Sequence, residues 1–327
     1  MTKRPLLLTV WLCVGLIAQV SAHDLFLKFD SYFPPANAKT TVRLLNGYFN
    51  RSENAVSRDR LLDVSLVAPS GNRANPPSTD WRDENNVALL SIQTGDAGTY
   101  VVGVSTKPRE ITLKAAEFNN YLSHDGVPDT LAERRRNKEL NKSARERYSK
   151  HVKAIFQVGQ VGQVGQAGDH RTDNFKTALG YPVEIIPQRN PYELKIGDSL
   201  EVLCLKDGQP IADQFVMAGR EANKRVIAMP GVRSDARGIA RIRLAGKGKW
   251  FVKFIHMTKL NDPSLDYESK WASLTFEIRV PPAQSANPAA KNRSDLSRFV
   301  KFVSRKSAPK IVFDSTQPIC YSPPLVR

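Results

Sequence analysis

Asp96-Ala97-Gly98-Thr99-Tyr100-Val101-Val102 is the stretch on which the fold of this 327-residue chain turns. An Asp-x-Gly-x-Tyr run leading into β-branched residues is how many immunoglobulin-like sandwiches enter a strand at a tyrosine corner, where the phenol bonds back to backbone just upstream. The cysteine that antibody domains carry two residues after that tyrosine is Val102 here, so their inter-sheet disulfide is not expected. The run marks a fold and carries no chemistry of its own.

Outward from it, short apolar segments alternate with turn signals. Leu25, Leu27 and Phe29 share one parity with His23, residues 40–45 precede Asn46-Gly47, residues 61–68 precede Pro69-Ser70-Gly71, and residues 87–92 follow. Residues 200–205 run into Asp207-Gly208, a hairpin signal, and residues 239–244 and 249–257 are joined through Ala245-Gly246-Lys247-Gly248. Trp250, Val252, Phe254 and His256 share one face of their strand, with Phe251 and Ile255 on the other, a pattern of burial on both sides. These segments predict a mainly β protein of two immunoglobulin-like or prealbumin-like β-sandwich domains, at 23–115 and 179–280.

Between them, residues 116–178 read as a helical insertion followed by a Gln/Val/Gly connector. Thr130 and Glu133 have capping-box spacing, and Leu140, Ala144, Tyr148 and Val152 recur every fourth position before Ile155, which predicts one helical stripe. Arg134, Arg135, Arg136 and Lys138 head the basic face of that helix, a candidate contact for an anionic envelope surface. After Val280 the Pro-rich, basic composition predicts a disordered tail over 281–327.

The first 22 residues have the form of a signal peptide: Lys3 and Arg4, an apolar run to Val20, then Ser21-Ala22. A periplasmic or secreted protein is expected, with no transmembrane segment in the mature chain. The formal charge of +16 favours anionic surfaces, but no element of a nucleic-acid reading motif is found, and nucleic acid is not an expected partner. Cys204 has the parity of a buried strand residue, and a bond to Cys320 is not demanded by the pattern.

Cleavage after Ala22 makes His23 the first residue. Its freed α-amine and imidazole then form a two-nitrogen chelate suited to borderline transition metals. No pair of histidines has local metal-site spacing. His256, at the end of a bulky apolar strand, is the candidate second ligand; Asp24 and His124 are weaker ones. A structural hydrogen bond is the competing reading of His256. No G-x-S-x-G elbow, Walker loop or dinucleotide fingerprint occurs, and nothing in the spacing of carboxylates supports an enzyme.

His23-Asp24-Leu25-Phe26, Glu146-Arg147-Tyr148-Ser149-Lys150-His151-Val152-Lys153-Ala154, Gly180-Tyr181-Pro182-Val183-Glu184-Ile185-Ile186-Pro187, Asn190-Pro191-Tyr192 and Trp271-Ala272-Ser273-Leu274-Thr275-Phe276 together resemble a bacterial exported family, described as a domain of unknown function or as the periplasmic component of nickel and cobalt uptake. The resemblance implies a two-sandwich periplasmic protein that presents Ni(II) or Co(II) to a membrane transporter, with His23 as a ligand and His256 matching a histidine of the family pattern. Two rivals stand beside it: a structural or envelope-interaction sandwich with no metal role, and a copper-dependent oxidative enzyme built on an N-terminal histidine.

Overall fold

The computed structural model describes residues 23–159 and 170–279. The expected leader, most of the Gln/Val/Gly connector and the tail lie outside the described residues. The chain divides into Met1–Pro281 and Pro282–Arg327, and every described residue belongs to the first unit.

In chain order the strands are β1 (Asp24–Phe29), β2 (Lys39–Tyr48), β3 (Arg51–Asn54), β4 (Leu61–Val67), β5 (Arg73–Ala74), β6 (Trp81–Glu84), β7 (Val87–Gln93), β8 (Gly98–Thr106) and β9 (Arg109–Leu113). Two helices follow, α1 (Ala115–His124) and α2 (Pro128–Arg136). Then come β10 (Ala144–Val158), β11 (Val183–Pro187), β12 (Ser199–Lys206), β13 (Gln209–Pro210), β14 (Phe215–Ala222), β15 (Arg225–Ala228), β16 (Val232–Arg233), β17 (Ile239–Arg243), β18 (Gly248–Lys259) and β19 (Tyr267–Ile278).

The protein is mainly β and packs as sandwiches around one large sheet. That sheet runs β15-β14-β18-β19-β10-β8-β4-β5, with β16 beside β14 and β9 beside β10. Among the described residues its strands pair antiparallel except β10 with β19, which is parallel. A smaller sheet, β1-β2-β7-β6 with β3 on β2, covers one face: Leu25, Leu27, Phe29, Val42, Leu44 and Leu90 meet Val102, Val104, Val152, Ala154, Phe156 and Val158. The other face takes β11, β12, β13 and β17, with Val183, Ile185, Leu200, Val202 and Cys204 against Val252, Phe254, Leu274 and Phe276. Adjacent residues of the large sheet therefore point into different cores, as Val101 and Val102 do. The two halves expected from sequence share this sheet.

The tyrosine corner is in place. Tyr100 Oη donates to the Asp96 carbonyl at 2.9 Å and accepts from the Gly95 N–H at 3.2 Å, and every residue of β8 is buried. Asp207-Gly208 forms its hairpin with both residues at positive φ, 48° and 76°. At Asn46-Gly47 the chain does not turn; β2 continues through a bulge to Tyr48.

The helix expected over 140–155 is, from Ala144 on, the strand β10. A spacing of four is a multiple of two, so Ala144, Tyr148 and Val152 share a face in either state. Continuous burial from Ser149 to Val158 satisfies a strand sandwiched on both sides and would leave a helix without a solvent face. The helices lie upstream. α2 begins at Pro128 with Val127 before it, where the missing proline N–H costs nothing, and Thr130 is a buried helix residue rather than its cap.

Candidate functional site

β1 has two buried faces. Leu25, Leu27 and Phe29 enter the first core, while Asp24, Phe26 and Lys28 point the other way, toward β18 and β14. Ser273 and Thr275 of β19 donate to the Leu25 and Leu27 carbonyls, at 2.8 and 2.5 Å, and hold β1 across the large sheet. A cavity of about 1050 Å³ opens here, and Asp24, Phe26, Phe49, Asp125, Phe251 and Lys253 are among the residues that line it.

Its charged floor comes from three distant segments. Lys253 Nζ donates to Asp24 Oδ2 at 2.5 Å and to Asp125 Oδ1 at 3.1 Å. Asp125 follows α1, whose last turn closes through Asp125 N–H to the Tyr121 carbonyl and Val127 N–H to the Leu122 carbonyl. Gly126 makes the exit at φ 83°, and a Cβ there would come within 2.5 Å of Met217 Sδ. Burial works against the Lys253 ammonium, yet Asp24 and Asp125 outweigh it and hold its pKa above the ordinary lysine value.

Lys150 lies alongside. Its Nζ donates to the His23 carbonyl and sits 5.1 Å from the Trp271 ring centroid and 5.4 Å from that of Tyr148. Burial pushes its pKa down to about 8. Deeper, Glu146 accepts from Tyr121 Oη at 3.1 Å and from Ser269 Oγ. Among the described residues its Oε2 has no hydrogen-bond partner, and burial pushes its carboxyl up to about 7. The opposite wall is aromatic: the Phe26, Phe49 and Phe251 rings stand 5.0–5.2 Å apart.

Of the residues singled out from sequence, His23, Asp24 and His124 line this one cavity. His23 Nε2 lies 2.7 Å from Glu53 Oε2, and His124 Nδ1 lies 2.9 Å from the Asn120 carbonyl oxygen. His256 is not brought to them. Phe251 and Lys253 face the cavity, so His256, with the parity of Val252 and Phe254, is on the other face of β18. There it meets Gln214 Oε1 at 3.1 Å, and burial lowers its pKa. Among the described residues, no group of three or more His, Cys, Asp or Glu side chains is placed to hold a metal ion.

Arg134 is not a surface contact. It is 2% exposed, donates to Asn119 Oδ1 and to the Glu139 and Lys142 carbonyls, and stacks on Phe118. Arg135, Arg136 and Lys138 are exposed. The basic residues that follow in sequence are dispersed along β10, with Arg145 paired to Asp266, Arg147 to Glu110 and Lys153 buried against Glu184. Cys204 is fully buried, which pushes its thiol up to about 12.

Sequence reasoning missed Lys253, Asp125 and Lys150. The available signal was a single lysine within the apolar run Trp250-Phe251-Val252-Lys253-Phe254-Ile255, since a charge at a buried strand position requires a partner.

Residues 20–258 match the family model of a domain of unknown function, DUF4198. The chain belongs to that family. No curated protein matches it. Among solved structures, the D0-D1 domain of intimin is 12% identical, with 77% of this chain and 97% of that one covered and a TM-score of 0.18. The Escherichia coli adhesin FdeC is 14% identical, with 78% and 63% covered and a TM-score of 0.20. The two tandem V-type regions of the chitin-binding protein VCBP3 are 7% identical, with 76% and 98% covered and a TM-score of 0.17. At such scores these likenesses carry no argument about this chain.

Proposed function

For this member of a family of unknown function we propose a non-catalytic binding role in the periplasm, with the cavity between β1, β18 and α1 as the ligand site. The observation that supports it is the convergence of residues 100 or more positions apart, Asp24, Asp125 and Lys253, as a buried charged floor beneath an apolar wall. Concave, largely apolar sites with a few fixed polar groups are where proteins hold small ligands.

The cargo implied by the resemblance is a divalent nickel or cobalt ion passed to a membrane transporter. The donors described do not complete such a site by themselves; His23 is the anchor that would start one. Its Nε2 faces Glu53, the outer carboxylate arrangement that orients metal-bound imidazoles. Nδ1 then remains to close a chelate ring with the α-amine that cleavage after Ala22 would free. Asp24 and His124 line the same cavity as further donors, whereas His256, on the opposite face of its strand, drops out of the ligand set.

Calorimetric titration of the chain beginning at His23 with Ni(II) tests this. The expected result is one ion per chain, lost in His23→Ala and kept in His256→Ala. Equal heat from His23→Ala would remove the anchor, and no heat at all would remove the metal from the proposal.

A further inference from the structure

The cavity is far larger than a bare ion needs. Its floor sets two carboxylates around the Lys253 ammonium, each giving only one oxygen to that lysine, with the Lys150 ammonium acting on both from alongside. Asp24 Oδ1 and Asp125 Oδ2 have no protein donor among the described residues, and both side chains line the cavity. The neighbouring Lys150 is engaged with the His23 carbonyl and the Trp271 and Tyr148 rings. The floor thus offers acceptors that lack donors, beside an ammonium whose attraction for anions is already taken up.

The wall points the same way. Ring faces attract cations, and the Phe26, Phe49 and Phe251 cluster already receives one: Lys28 Nζ stands 4.8 Å from the Phe49 centroid, held there by Glu221 at 2.5 Å. The same three residues line the cavity with Asp24, Phe251 the most open of them at 8% exposed. Lys224 and Arg225 also line it, but both are exposed, where solvent and salt screen their repulsion.

We propose that the inner cavity binds a small organic cation: a protonated amine donating to Asp24 and Asp125, with an apolar or aromatic body against Phe26, Phe49 and Phe251. This goes beyond the metal reading, because it uses the floor and wall and not the His23 imidazole.

The test is calorimetry on the full chain in EDTA with three probes of one skeleton: phenethylamine, 2-phenylethanol and phenylacetate. The amine is expected to bind at least tenfold more tightly than the alcohol or the acid. Asp125→Asn should weaken the amine at least tenfold and leave the alcohol unchanged. Phenylacetate binding as well as the amine, or none of the three binding, overturns the proposal, and the ranking on the unmutated chain decides this without any variant. Since metal is chelated throughout, the outcome is independent of whether Ni(II) binds at His23.

Discussion

Lys253 and Asp24, 229 positions apart in the chain, meet at 2.5 Å, with the ammonium only 7% exposed. Removing one member of such a pair leaves an uncompensated charge in a poorly solvated place. Lys253→Met is expected to cost about 3 kcal/mol, read from the urea midpoint. Adding Asp24→Asn and Asp125→Asn to that variant should recover part of the loss, because the stranded carboxylates are then gone. A loss under about 0.5 kcal/mol, the size of an ordinary surface change, would show the floor to be well solvated.

Arg134 separates a structural arginine from its surface neighbours. Arg134→Ala removes bonds to Asn119, Glu139 and Lys142 and a stack on Phe118, with an expected cost of about 3 kcal/mol. Arg135→Ala and Arg136→Ala are exposed changes, expected within about 0.5 kcal/mol. Thermal unfolding of the three variants compares them directly, and equal shifts would contradict the burial of Arg134.

Glu146 gives the protein a pH dependence of definite sign. Its carboxyl titrates near 7 in the folded chain against an ordinary 4.5. Its contribution to stability is fully present below about 4.5 and is lost as pH rises through about 7, because the unfolded chain gives up the proton first. Glu146→Gln keeps acceptors for Tyr121 and Ser269 and is expected to flatten that decline. Denaturation midpoints from pH 4 to 8 for both chains measure it; parallel curves would refute the assignment.

Tyr100→Phe deletes only the hydroxyl that donates to Asp96 and accepts from Gly95. The expected loss is about 1 kcal/mol, with an unchanged far-UV spectrum. A neutral result would mean that water replaces the corner bonds at no cost.

What could be read from the sequence was what is encoded over short distances. The tyrosine corner needs five residues, the Asp207-Gly208 hairpin two, and strand alternation about six. β10 was misread because apolar residues four apart fit both periods, and the lysines at 150 and 153 look solvated until their partners are known. The site was half legible. His23, Asp24 and His124 do share a cavity, but Lys253 and Asp125 reach it through strand order and a helix cap that no local pattern reports. His256 failed on parity, since one step along β18 reverses the face.

β19 has a further consequence. It pairs with β18 from end to end and, on its other edge, with β10. The match to the family model ends at residue 258, inside β18 and before β19. A chain terminated at that border would lack the keystone joining the two flanks of its central sheet, and should emerge as a proteolysis-sensitive species without a sharp melting transition.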